Sequence, residues 1–125
     1  MTPAHLLALA CAGALGTLLR AGCNSLALRW LGAGFPWATL ALNVGGSFAF
    51  GVIAGVARAR GGLPNGLETI LLVGLLGGFT TYSSFAFQSV ELLEQGRSAA
   101  ALGYVAATNL GAIAAVWAGM RLVAG

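Results

Sequence analysis

Four long apolar segments, each closed by a short polar or glycine-rich stretch, set the pattern of this chain. The first runs roughly from His5 to Leu31, with Pro3 in its first turn, where the missing N–H costs nothing. Gly32-Ala33-Gly34 ends it. Pro36 and Trp37 open the second, which reaches about Arg58, and Arg58-Ala59-Arg60-Gly61-Gly62 is the most polar loop. Asn65, with Glu68 three residues on and Pro64 ahead, has the form of a capping box and starts the third. That segment runs to about Gln95, before Gly96. Ser98 is placed to cap the fourth, about Ala99 to Val123. Runs of this length cross a hydrocarbon core ~30 Å thick as helices. The short connections make neighbouring helices antiparallel.

The third segment departs from the others. From Gly74 to Gln88 it begins as an apolar helix, meets Gly77-Gly78, runs into Thr80, Thr81, Ser83 and Ser84, and ends among aromatics. Glycine is a poor helix former, and Thr and Ser hydroxyls compete for backbone partners. The pattern predicts a helix break near the bilayer midplane. A continuous helix of about thirty residues would reach ~45 Å, so the membrane leaves room for one. Irregular backbone at that depth is tolerated where protein buries it or where it lines a wet cavity. Broken helices at the midplane are where transporters and channels hold ions.

Composition agrees. Hydrophobic residues make up 58% and charged residues 7% of 125, against about 25% charged in a soluble domain. The chain reads as one all-α integral membrane domain over residues 1–125, lying in the lipid bilayer. The net charge of +3 is small and dispersed, which argues against a nucleic-acid partner. Cys11 and Cys23, twelve residues apart on one segment, cannot bridge within a helix and read as packing residues. The first segment reads as a membrane helix rather than a signal peptide, because no Lys or Arg precedes its apolar core.

With four spans, Arg58, Arg60 and Arg121 fall on one side and Arg29 and Arg97 on the other. This is a very weak positive-inside bias. Either other details set the orientation, or the chain inserts both ways and forms an antiparallel homodimer. Gly51-Val-Ile-Ala-Gly55 is a small-xxx-small face. Gly13, Gly16, Gly45, Gly46, Gly74, Gly77 and Gly78 add positions for close helix approach.

Several polar groups fall inside the spans. Thr39, Asn43 and Ser47 recur every four residues and share a helical face. Asn43 could glue helices together or donate hydrogen bonds to an anion. Tyr82 and Phe85 share a face, as packing or as ring edges turned to an anion. Tyr104 and Thr108 stack as hydroxyl donors, and the track stops at Ala112. Arg20, with Asn24 four residues on, lies within the first segment. It either snorkels or borders a water-filled vestibule that would gather anions. Glu68, Glu91 and Glu94 lie toward the ends of the third segment, and His5 at the membrane edge. No nucleophile–base pair or metal cluster points to an enzyme.

Gly77-Gly78-Phe79-Thr80-Thr81-Tyr82-Ser83-Ser84-Phe85 resembles the Gly-Gly-Phe-Thr-Thr-Phe-Ser-Thr-Phe signature of the Fluc (CrcB) fluoride channels. The runs from Thr39 to Phe48 and from Gly16 to Arg20 resemble that family's second-helix and first-helix motifs. The resemblance implies a fluoride-selective channel in the inner (plasma) membrane that exports cytoplasmic fluoride passively and confers fluoride resistance. It implies a dual-topology homodimer with two pores and a central structural sodium ion (Na⁺). The backbone carbonyls of Gly77 and Thr80 would hold that ion. Asn43, Phe85, Tyr82, Tyr104, Thr108 and Ser84 would line the fluoride pore, with Arg20 at the vestibule. Tyr82, Gln88 and Ala112 depart from the family's usual Phe, Glu and Ser.

Two other readings compete. A small dual-topology multidrug or cation exporter would want a membrane-embedded carboxylate in the first helix, which offers Arg20 and no acid. A structural subunit of a membrane complex would explain the glycines, but not why hydroxyls, Asn and aromatics gather at one break.

Overall fold

The computed structural model describes residues 1–124. Four helical spans are long and apolar enough to cross a membrane: Pro3–Leu31, Trp37–Arg60, Pro64–Glu94 and Ser98–Ala124. The chain is a multi-pass membrane protein. Thr2 caps the first helix, its hydroxyl accepting the His5 N–H at 3.2 Å. Gly61, with φ 72°, ends the second, and its N–H donates to the Ala57 and Arg58 carbonyls. Left-handed backbone of this kind favours glycine.

The expected capping box at Asn65 and Glu68 does not form. Asn65 lies in a 3₁₀ turn, Pro64–Gly66, with φ 57°, and Gly66 follows at φ 69°. Asn and Gly tolerate this conformation, so the chain turns through both before the helix starts at Leu67. The fourth helix likewise starts at Ser98 itself, and the Arg97 carbonyl accepts the Ala101 N–H at 3.0 Å.

The third span is broken at Thr80 and Thr81, which are both extended. Helix Leu76–Phe79 precedes the break and helix Tyr82–Glu94 follows it. A π-helical stretch, Ile70–Leu75, lies just before. Such stretches are rare and concentrate at functional sites. No periodicity in the sequence signals it.

The helices pack in two layers joined at the break. The second and fourth helices form the most extensive contact, and the first helix packs against the half-span before the break. Both seams depend on absent side chains. A Cβ on Gly51 would run into the Val116 carbonyl, and one on Gly119 into the Phe48 carbonyl. At the other seam, a Cβ on Gly16 would strike the Leu75 carbonyl, and one on Gly78 would sit 2.5 Å from the Gly13 carbonyl. In lipid there is little hydrophobic force between helices, so this close backbone approach supplies the attraction. Gly45 and Gly77, also expected at close contacts, meet little or nothing within this chain.

Outward positions are leucine-rich, and Trp30 and Trp117 are well exposed, as lipid-facing and interfacial residues should be. The Arg121 guanidinium lies 5.7 Å from the Trp117 ring centre. Burial concentrates around Phe85, Leu92, Ala101 and Tyr104.

Overpacking a tight seam costs about 1–3 kcal/mol. Gly51→Ala is therefore expected to lower the thermal midpoint of the detergent-solubilised protein. Gly103→Ala, whose added methyl meets nothing within 4 Å, should leave that midpoint close to unchanged. Thermal unfolding of the two variants side by side checks this.

Candidate functional site

The break is closed off by side chains from both sides. Before it, the Thr80 N–H and hydroxyl both donate to the Leu76 carbonyl, at 3.0 and 2.9 Å. After it, Thr81 caps the next helix, its hydroxyl accepting the Ser84 N–H at 3.3 Å. Across it reaches Asn43 of the second helix. Asn43 Nδ2 donates to the Thr81 carbonyl at 2.9 Å, and the Thr81 N–H donates to Asn43 Oδ1 at 2.8 Å. Asn43 is thus a splint for the broken backbone, with one N–H still uncommitted. The small Gly46 lets the break approach: a Cβ there would lie 2.5 Å from the Thr80 methyl and 3.3 Å from the Phe79 ring.

These bonds divert two donors from their helical partners. In an unbroken helix the Thr81 N–H would serve the Gly77 carbonyl and the Ser84 N–H the Thr80 carbonyl. Asn43 and the Thr81 hydroxyl take those donors instead. The carbonyls of Gly77 and Thr80 are left without them, and both residues border an open groove of about 450 Å³. Bare carbonyl oxygens suit a hard cation. Among the described residues no cluster of His, Cys, Asp or Glu could hold a metal, so a cation here would rest on main-chain oxygen. These oxygens are of the type a hard cation such as sodium would take.

The same groove is lined by Asn43, Tyr82, Phe85, Thr108 and Ala112. Tyr82 is 76% exposed and Phe85 only 5%, with ring centres 5.6 Å apart. Among the described residues, Thr108 Oγ1 is the buried side-chain polar atom with no hydrogen-bond partner. Leaving such a group unmatched costs about 1–3 kcal/mol, and this hydroxyl lies buried at a residue that lines the groove.

Tyr104 is fully buried behind the groove, packed against Phe85 at 5.1 Å and edge-on against Phe35 at 5.4 Å. Its hydroxyl donates to Gln88 Oε1 at 2.9 Å. Ser84 and Arg20 do not join the groove. They line a separate cavity of about 270 Å³, between the first helix and the half-span after the break. Thr81 borders both spaces.

The predicted residues therefore fall into two sets, Asn43, Tyr82, Phe85 and Thr108 at the groove and Arg20 and Ser84 at the second cavity, with Tyr104 lining neither. Three contributors have contacts that the sequence pattern did not assign to them. Thr81 carries the splint, though its place in the hydroxyl run was visible. Gln88 holds the Tyr104 hydroxyl. Phe35 lies in a loop, where no periodicity marks a packing role.

A family model described as CrcB-like protein, Camphor Resistance (CrcB), matches residues 7–120. The chain is 42% identical over 118 residues to a protein of Rhodospirillum centenum named fluoride-specific ion channel FluC, covering 94% of each. A protein of the same name from Anaeromyxobacter dehalogenans is 44% identical over 120 residues, covering 96% of this chain and 95% of the relative. Another from Paracoccus denitrificans is 46% identical over 116 residues, covering 93% and 91%.

Replacing Asn43 by Leu strips two partners from the Thr81 peptide, each worth about 1–3 kcal/mol when buried. The Asn43→Leu variant is expected to lose stability of about 2–4 kcal/mol, read as a fall in thermal midpoint against wild type in the same detergent.

Proposed function

The chain belongs to the CrcB family, and on that premise we propose that it is a fluoride-selective channel of the bacterial inner membrane, passing cytoplasmic fluoride outward down its gradient. The observation that carries this reading is the groove at the broken third span. It joins an unpartnered hydroxyl at Thr108, an uncommitted N–H on Asn43 and the Phe85 ring. These are neutral donors and a ring with a positive edge. They can replace the water around a small anion without trapping it as a lysine would.

The channel works as an antiparallel homodimer with two pores. Support comes from the groove itself, which opens outward at the depth of the break. Polar backbone facing lipid is costly, and a second copy laid over the groove would cover it. Exposed Tyr82 would then face the partner. The weak arginine bias lets one chain supply both orientations. The Gly77 and Thr80 carbonyls of both copies would hold a structural sodium ion. When bound, it would supply a positive charge to carbonyl oxygens left without helical donors.

In this scheme Asn43, Phe85, Tyr82 and Thr108 contact fluoride along the groove. Tyr104 buttresses Phe85 from behind. Arg20 and Ser84 stand in the second cavity, where the guanidinium raises the local anion concentration. The chemistry is passive permeation and involves no covalent step.

Purified protein in liposomes is expected to release fluoride rapidly, with little release of chloride. Absence of fluoride release from folded protein in sodium-containing buffer would overturn the reading. Phe85→Ile should cut fluoride efflux by about tenfold or more, the effect of ~1.4 kcal/mol on the barrier, while leaving the oligomer intact by size exclusion. Replacing sodium with a large organic cation should lower both efflux and thermal midpoint. Flux and stability indifferent to sodium would remove the cation from the break.

A further inference from the structure

One carboxamide deep in the membrane has no part in the channel scheme. Asn109 is residue 12 of the 27 in Ser98–Ala124, near the middle of the span, and it is exposed on the surface of the chain. Its Nδ2 donates to the Val105 carbonyl one turn back, at 2.8 Å. That bond uses one of its two N–H groups and neither lone pair of Oδ1. A polar side chain at this depth is expensive against hydrocarbon and faces protein or water instead.

Asn109 lies on the wall of the groove at the broken span. With Ala112, Ile113 and Val116 it makes a stripe at helical spacing, and all four line that groove. The second helix adds Ser47 and Phe50 to the lining. The wall is therefore polar at Asn109 and Ser47 and apolar at Ile113, which is 70% exposed, and at Phe50. A lipid chain would cover the apolar part but offers nothing to the amide. A protein surface with the same alternation would satisfy both.

We propose that Asn109 is the registering contact between two copies of this chain, its free amide atoms bonding polar groups of the second copy while Ile113 packs against apolar ones. The proposal rests on the antiparallel-homodimer reading. Inverting a copy exchanges the ends of its spans between the two membrane faces but leaves their middles at one depth. Asn109 is a mid-span residue, and so is Ser47, residue 11 of the 24 in Trp37–Arg60. A two-fold interface uses the same patch on both copies, so these polar groups come to one level in the pair. Slipping one copy by a helical turn, ~5.4 Å, would set the amide against apolar side chains and leave it unbonded. A single polar position fixes register in other helix assemblies in this way, at some cost in stability.

The test follows the dimer fraction of fluorescently labelled protein as it is diluted into lipid bilayers, for wild type, Asn109→Leu and Asn109→Gln. The dissociation constant of Asn109→Leu is expected to rise about three- to thirtyfold, the range for polar contacts between membrane helices. Asn109→Gln keeps the carboxamide and should recover part of the loss. Asn109→Ala serves if the Leu variant does not fold. If Asn109 serves only its own helix through Val105, or if a lipid chain fills the groove, the folded variants will dimerise with the wild-type constant, and that result would overturn the proposal. Wild type that stays monomeric at every density would overturn the dimer reading instead.

Discussion

A peptide group deep in lipid must find a hydrogen-bond partner, because no water is there to supply one. The third span breaks that rule at Thr80 and Thr81, and Asn43 repairs it by giving Thr81 both an acceptor and a donor. The other features at the break depend on this repair. It frees the Gly77 and Thr80 carbonyls by diverting their helical donors. It fixes the direction in which the second half-span leaves, and so where Phe85 and Gln88 stand. It also ties the second helix to the third at a point where the two have few other contacts.

Around that point the glycines determine distance and the aromatics determine shape. Bare backbone at Gly16 and Gly78 draws the first helix onto the half-span before the break, and Gly51 and Gly119 draw the second onto the fourth. The half-span after the break is held differently, by Phe85 against Tyr104 and by the Tyr104 hydroxyl on Gln88. Away from those aromatics, Thr81 borders both the outward groove and the Arg20 chamber. Polar contacts in these two spaces serve different ends: the groove offers unmatched donors and carbonyls, whereas the chamber offers a fixed positive charge.

The spans were legible because a membrane helix needs about twenty apolar residues, a signal long enough to survive local noise. The break was legible because Gly77-Gly78 and the run of hydroxyls contradict the helix around them. Boundaries set by one or two residues were less so. Asn65 and Glu68 carried the spacing of a capping box, but neighbouring Gly66 allowed a left-handed turn that placed the helix start elsewhere. Gly45 and Gly77 looked like seam residues by type, yet rotation about their helices turns them away from this chain's own contacts.

The sequence by itself determined the membrane class, the number of spans, the position of the break and the residue types gathered there. Each of these follows from local pattern, which is written along the chain. Only the tertiary structure decided what those residues touch. Asn43 was equally fit for glue or for an anion until the fold brought Thr81 within reach of both its polar atoms. Ser84 and Phe85 are neighbours in sequence, but a helix turns by about 100° per residue, so the packing of Tyr104 sends them to different cavities. Gln88 gained its partner sixteen residues away through the approach of two helices. Such contacts depend on crossing geometry and helix rotation, which arise from the packing of all the spans together.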